Sequence, residues 1–286
     1  MSSSLSVVTI VKNRIPQLRN LITHLEACDP LPSELVVVWM APPSQNSLIK
    51  SERISIVHKF VNGESLPIAK ARNKGISCAS NDLIAYLNVD AVCAPNLVTA
   101  ALEHWQPKSL LTTDVRYLPP SDLEQDYQTL LNAHQADANK GKRDGKPFDD
   151  YDCSTLFLIS KEDFAKTGGF DERYDGFGLN DEDFFTNCRT LGFTFKPLDL
   201  VTFSQERPNY LCPVNHFLDF IRNAEIYRNK WGSYPRDGIL REYAHHGYIN
   251  EDFRDRGIVI QQLPSRSEYS QTFVENVQLV SETSRS

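Results

Sequence analysis

The chain has 286 residues, 41% hydrophobic and 23% charged, the balance of an ordinary soluble globular protein with room for one large domain or two small ones. Its net charge of −7 argues against nucleic acid as the main partner, because phosphate backbones select basic surfaces, but leaves room for a local basic site for a phosphorylated small molecule. No apolar run approaches the roughly 18 residues of a membrane span, and the start "MSSSLSVVTIVKNR" shows no signal peptide, so a cytoplasmic protein is expected, with peripheral membrane association left open.

In chain order, "LSVVTIVKN" is a continuous β-branched run, as strands buried on both faces of a parallel sheet are. "RIPQLRNLITHLEA" places Leu18, Leu21, Ile22 and Leu25 at helical spacing. "ELVVVWMAPP" and "RISIVHKF" follow as strands, "SLPIAKARNKGISCAS" as a helix, and "DLIAYLNVDAVCAP" opens with a further strand. This is an α/β pattern with a mostly parallel sheet, whose ligands bind beyond the carboxyl ends of the strands. Lys12, Asn13 and Arg14, and then Asn88 and Asp90, stand at such ends. "PPSDLEQDYQTLLNAHQADA" predicts one helix, "NKGKRDGKPFDD" a charged loop, "CSTLFLIS" a strand and "KEDFAKTGG" a short helix stopped by glycine. "GFTFKPLDLVTFSQ" reads as a strand, "NHFLDFIRNAEIYRNKWG" as an amphipathic helix, and the tail beyond about Pro264 as a polar segment. Six cysteines show no CxxC spacing, so neither a zinc cluster nor a disulfide framework is expected. Neither GxGxxG nor GxxxxGK[ST] occurs, which disfavours a nucleotide-dependent dehydrogenase or an ATPase.

The stretch "YDGFGLNDEDFFTNCR" admits two readings. In one, Asn180 caps a helix whose first turn carries Asp181, Glu182 and Asp183 for the dipole, a contribution of roughly 0.3–1 kcal/mol that needs no function. In the other, the glycines and aromatics of the lead-in "GGFDERYDGFG" bring backbone and rings against a ligand, and the acids do chemistry. Tyr174 and Trp231 are more often packing residues than sugar platforms.

Together, "GGFDERYDGFGLNDEDFFTNCRTLG", "VVTIVKNR", "AKARNKGI" and "LIAYLNVDAVCAPN" resemble, in the correct order over residues 5 to 192, the motifs of family 2 glycosyltransferases of the GT-A fold. The first of them is also similar to the carboxyl-terminal half of β-galactosyltransferases and chondroitin-type polymerases. The resemblance implies a GT-A domain over 1–200 and a helical extension over 201–286 packed on it. It implies a transferase that is inverting and moves a sugar from a nucleotide-sugar, a UDP-sugar first among them, to a glycan or glycoconjugate hydroxyl in bacterial-type polysaccharide synthesis. Asp183 would be the base, with Glu182 binding sugar hydroxyls; Arg189 keeps the family's spacing from the pair. Thr9, Val11, Asn13, Arg14, Arg72, Asn88 and Asp90 would line the donor site, with Arg14 and Arg72 facing the phosphates. A divalent ion (Mn2+ or Mg2+) would be held by Asp90 and Asn88, with His216 the nearest histidine.

The pattern breaks in three places. Asn88 replaces the first acid of the metal motif, so the ion should bind weakly. No acid follows the second strand to contact a base, and Ser204 takes the position of a metal-binding histidine. These breaks keep alive a degenerate transferase fold that binds or scaffolds without turnover.

Overall fold

The computed structural model describes residues 4–42, 48–63, 66–118, 125–134, 150–205, 213–235, 237–265 and 268. The apolar runs form strands: β1 (Leu5–Val11), β2 (Glu34–Trp39) and β4 (Leu83–Leu87) are buried at every position. With β3 (Ser55–Phe60), β5 (Ala91–Val92), β6 (Ser109–Leu118), β7 (Leu156–Ser160) and β8 (Thr194–Gln205) they make one 8-stranded sheet, in the order β3-β2-β1-β4-β7-β6-β8-β5. Four of the seven pairings are parallel; β7 runs antiparallel to β4 and β6, and β5 to β8, so the sheet is mixed. Every residue of β7 is buried, and such a run reads the same in either direction, which is why its polarity is not legible in the sequence.

Alternate side chains of each strand point to opposite faces, so the sheet supports two cores. Val7, Val11, Leu35 and Val37 pack on Leu18, Leu21 and Leu25 of α1 (Ile15–Glu26) and on Leu97 and Val98 of α3 (Leu97–His104). On the other face Val8, Ile10, Val36 and Val38 meet Ala71 and Ile76 of α2 (Ile68–Cys78) and Phe184, Phe185 and Cys188 of α7 (Asn180–Thr190).

The middle of the chain differs from expectation. α4 spans only Tyr127–Ala133, capped by Asp126, whose Oδ1 accepts from the Thr129 amide at 3.0 Å. The ends of the longer helix expected there, and nearly all of the charged loop after it, lie outside the described residues. α5 (Asp150–Thr155) takes the first residues of an expected strand, and α3 and β6 were not anticipated. α6 (Lys161–Thr167) starts on Ser160, which accepts from the Asp163 amide, and ends at Gly168.

Beyond the sheet come a 3-10 turn (Val214–His216), α8 (Phe217–Trp231), α9 (Gly238–His245) and α10 (Phe253–Arg256). Phe217, Phe220, Tyr227, Tyr243 and Phe253 form a third core there, which also takes in Tyr174 and Leu179 from the acidic stretch. The polar tail beyond 265 lies, apart from Glu268, outside the described residues. Among the described residues no helix is long and apolar enough to cross a membrane, and five cysteines are free thiols.

One glycine shows how tightly α2 sits on the sheet. A Cβ at Gly75 would overlap Val8 Cγ1 and come within 3.0 Å of Val38 Cγ2. Alanine in a helix interior normally gains about 1 kcal/mol over glycine, whereas overpacking a core costs about 1–3 kcal/mol. Gly75→Ala is therefore expected to lower the urea midpoint, the reverse of the usual sign.

Candidate active site

The strand ends carry the first group of residues. After β1, Asn13 turns the chain with φ 56, a left-handed conformation that asparagine tolerates, and Arg14 follows at the start of α1. Arg14 Nε donates to Asp90 Oδ1 at 3.0 Å, and Nη2 pairs with the same oxygen. The Asp90 side chain is 0% exposed and that of Arg14 38% exposed. Asn88 Oδ1 lies 3.4 Å from the Asp90 amide, which donates to it, while the Asn88 amide donates to the Thr155 carbonyl. Ser204 on β8 pairs in register with Ala91, beside Asp90, so the third position of the motif is a buried hydroxyl. Thr9 and Val11 belong to the central strand and are 0% exposed. The Thr9 hydroxyl has no hydrogen-bond partner among the described atoms, and the Val11 carbonyl accepts from the Met40 amide. The side chains of these two residues, expected at the donor site, are enclosed in the sheet.

Arg72 departs from expectation. It is 4% exposed, its guanidinium stacked over Tyr86 (4.7 Å) and Phe170 (5.0 Å), and it pairs with Asp181 at 2.6 Å and donates to Asn180 Oδ1 at 2.5 Å. Burial opposes its charge, but Asp181 and Tyr86 outweigh burial and hold its pKa above the ordinary value. Its charge is thus committed to the acidic helix instead of being presented at the strand ends. Its neighbour Asn73 accepts from the Phe170 amide at 2.8 Å and donates to the Phe170 carbonyl and to Glu172. The "ARN" triplet therefore holds the "GGFDE" segment in place. Tyr86 is the penultimate residue of β4, and the Gly176 amide donates to the Leu66 carbonyl, just ahead of α2. These contacts set the acidic stretch against the end of β4, the strand that leads into Asp90.

Within that stretch Asn180 is not the cap; Leu179, at φ 68, precedes α7 and the Asn180 side chain serves Arg72. Asp183 is 2% exposed and accepts from Lys230 Nζ (2.8 Å), Trp231 Nε1 (2.8 Å) and the Tyr174 hydroxyl (3.1 Å). Burial, then the Asp183 charge, pushes the Tyr174 phenol well above its ordinary pKa. Lys230 also faces Asp171 at 3.5 Å, whose carboxyl is held down to about 2 by the hydrogen bond from Arg173. Glu182 is half-buried on the same turn, and Arg189 lies over the Phe195 ring at the far end of α7.

The glycines serve a protein contact. A Cβ at Gly176 (φ 76) would overlap the Asp219 carboxylate, and one at Gly178 (φ 91) would lie 2.7 Å from Phe220 Cδ2, both on α8. Asn223, 0% exposed, shares its amide hydrogens among the carbonyls of Asp175, Phe177 and Gly178. His216 stacks on Phe177 at 4.7 Å, and burial lowers its pKa. No described contact brings it to Asp90 or Asn88.

Among the described residues no three His, Cys, Asp or Glu side chains converge as a metal cluster. Hard oxygens at Asp90 and Asn88 still suit Mg2+ or Mn2+, and the buried Asp90 carboxylate already answers a positive group, so a cation fits there with one protein charge to hold it. Trp39, Ala41, Pro42, Phe60, Val61 and Asn62 line a cleft of about 340 Å³ at the ends of β2 and β3, on the other side of β1 from β4 in the sheet order. That cleft, Asn223 and Lys230 had no individual part in the sequence reading, and Asp181 stood there only as an acid of the helix's first turn. The tryptophan beside Lys230 and the acid beside Glu182 were the available signals, but 47 residues separate Lys230 from Asp183.

A mixed sheet covered by helices on both faces, with an acid-and-arginine edge at the strand ends, is the architecture of GT-A glycosyltransferases. The sequence profile of Glycosyl transferase family 2 matches residues 6–167, and the chain belongs to that family. The N-terminal domain of galactosyltransferase matches residues 149–209. No curated protein matches the chain in sequence. Among solved structures, S. aureus TarS 1-349 superposes with a TM-score of 0.56 at 11% identity, over 98% of this chain and 80% of that one. The mannosyltransferase PcManGT of Pyrobaculum calidifontis, in complex with GDP-Man and Mn2+, gives 0.52 at 17% identity, over 85% and 69%. The catalytic domain of Drosophila β1,4-galactosyltransferase 7 gives 0.44 at 17% identity, over 68% of this chain and 65% of that one, so the chain spans just under two thirds of that structure.

Arg72 supplies a direct test of the site's wiring. Removing one partner of a buried ion pair costs about 3–5 kcal/mol, so Arg72→Met should lower thermal stability sharply. A variant of wild-type stability that had lost only nucleotide affinity would return Arg72 to the phosphates.

Proposed function

We propose that the protein is an inverting glycosyltransferase that moves a sugar from a nucleotide-diphospho-sugar to a hydroxyl of a glycan or glycoconjugate. The observation that carries the reading is that Arg72 ties the acidic helix start to Tyr86 near the end of β4, the strand that leads into Asp90 and its Arg14 pair. The exposed Phe60 ring in the cleft at the ends of β2 and β3 suits the flat face of a nucleobase, and Arg14, at the end of the neighbouring strand β1, suits the diphosphate. A UDP-sugar is the first donor to test, since TarS, of similar fold, has been solved with UDP and with UDP-GlcNAc.

In this reading the acceptor oxygen attacks the anomeric carbon on the face opposite the diphosphate. The carbon–oxygen bond to the diphosphate breaks with its electrons, and Asp183 takes the hydroxyl proton. Glu182, on the same turn, binds sugar hydroxyls. A divalent ion, when bound, would add charge at the leaving diphosphate, with Asp90 and Asn88 the residues to hold it. Lys230 and Trp231 orient the Asp183 carboxylate from α8, which gives the segment 201–286 a part in the site of the domain 1–200.

A second reading, a degenerate fold that binds without turnover, is favoured by the three donors already on Asp183. A screen of nucleotide-sugars for hydrolysis and transfer, with and without Mn2+, separates the two. With an active donor and acceptor in hand, Asp183→Asn is expected to leave donor binding intact and cut turnover roughly 10²–10⁴-fold. Near wild-type turnover would make Asp183 a structural residue.

A further inference from the structure

The Arg14–Asp90 pair has the features of an exchangeable contact. A carboxylate with a 0% exposed side chain requires a positive partner, and Arg14 provides it. Nε and Nη2 of Arg14 both reach the same oxygen, Oδ1, of Asp90. Arg14 itself is 38% exposed and stands at the left-handed turn ahead of α1, outside the regular helix. Asn88 and Ser204, the polar groups beside Asp90, carry no charge to hold a second cation.

We propose that Arg14 is the resident counter-ion of Asp90 and is exchanged for a divalent cation when the donor arrives, moving its guanidinium onto the diphosphate. The inference rests on the donor-site reading above. An ion alone must break the Arg14–Asp90 pair to reach the carboxylate, and that cost weakens its binding. A diphosphate that comes with the ion offers the displaced guanidinium a new partner, so ion and nucleotide strengthen each other's binding. That mutual strengthening is the coupling between the two ligands, and it is reciprocal. Arg14 would then make metal affinity contingent on the donor.

The test is calorimetric and needs no turnover. Mn2+ alone, UDP alone and UDP with saturating Mn2+ are titrated into the full chain, its Arg14→Gln and Arg14→Lys variants, and Asp90→Asn. Arg14→Gln is expected to bind Mn2+ alone about three- to tenfold more tightly than wild type, since each 1.4 kcal/mol of lost competition is tenfold. The same variant should bind UDP with Mn2+ more weakly, so its coupling shrinks from both sides. Arg14→Lys keeps the charge and should retain weak binding of Mn2+ alone, which guards against a misfolded glutamine variant. Asp90→Asn should lose Mn2+. Unchanged or weaker Mn2+ binding in a folded Arg14→Gln protein would overturn the exchange, as would full Mn2+ binding by Asp90→Asn. If UDP and other nucleoside diphosphates fail to bind wild type with or without Mn2+, the donor-site reading falls instead. The Mn2+-only titrations still report whether Arg14 competes at Asp90, so the two failures are told apart.

Discussion

A guanidinium removed from water has to be answered by charge and hydrogen bonds, and at Arg72 that requirement organises the candidate site. The partners of Arg72, on α2, come from three places in the chain: Tyr86 from β4, Phe170 from the glycine-rich lead-in, and Asn180 and Asp181 from the start of α7. Asn73 adds two backbone hydrogen bonds to Phe170, and Gly75 lets the same helix lie against Val8 and Val38. Three residues of one motif thus fix the acidic helix to the sheet, and none of the three needs to touch a substrate to be indispensable.

The second anchor is α8. Asn223 gathers three carbonyls of the "DGFG" loop, and Gly176 and Gly178 bring that loop against Asp219 and Phe220. From the last turn of the same helix, Lys230 and Trp231 reach Asp183. The orientation of Asp183 therefore depends on a helix outside the sheet. The glycines first read as room for a ligand are room for this helix, and Tyr174 is a core residue that lends its hydroxyl to the acid.

At the opposite side of the edge the chemistry is poor in charge. Asn88 is an amide and Ser204 a hydroxyl where the motif resemblance leads one to expect an acid and an imidazole, and Asp90 pairs with Arg14. One carboxylate among neutral oxygens holds a divalent ion less tightly than a cluster of carboxylates does.

Much of this was legible from the sequence. Continuous β-branched runs marked β1, β2 and β4, helical spacing marked α1, α2 and α8, and the order of four motifs pointed to the family. Those features are local, because a strand or a helix writes its burial into its own periodicity. The direction of β7, the extent of α4 and the presence of α3 and β6 were not legible, since buried runs carry no polarity and short helices little periodicity. Least legible were the partners of the charged groups. Composition at 72, 181, 183 and 230 shows four ionisable residues, yet which acid answers which cation is decided by the meeting of α2, α7 and α8 in space. Sequence determined that arginines and carboxylates would line the strand ends; only the tertiary structure decided that Arg72 is enclosed and Arg14 is not, because burial is a property of what packs on a residue, not of the residue.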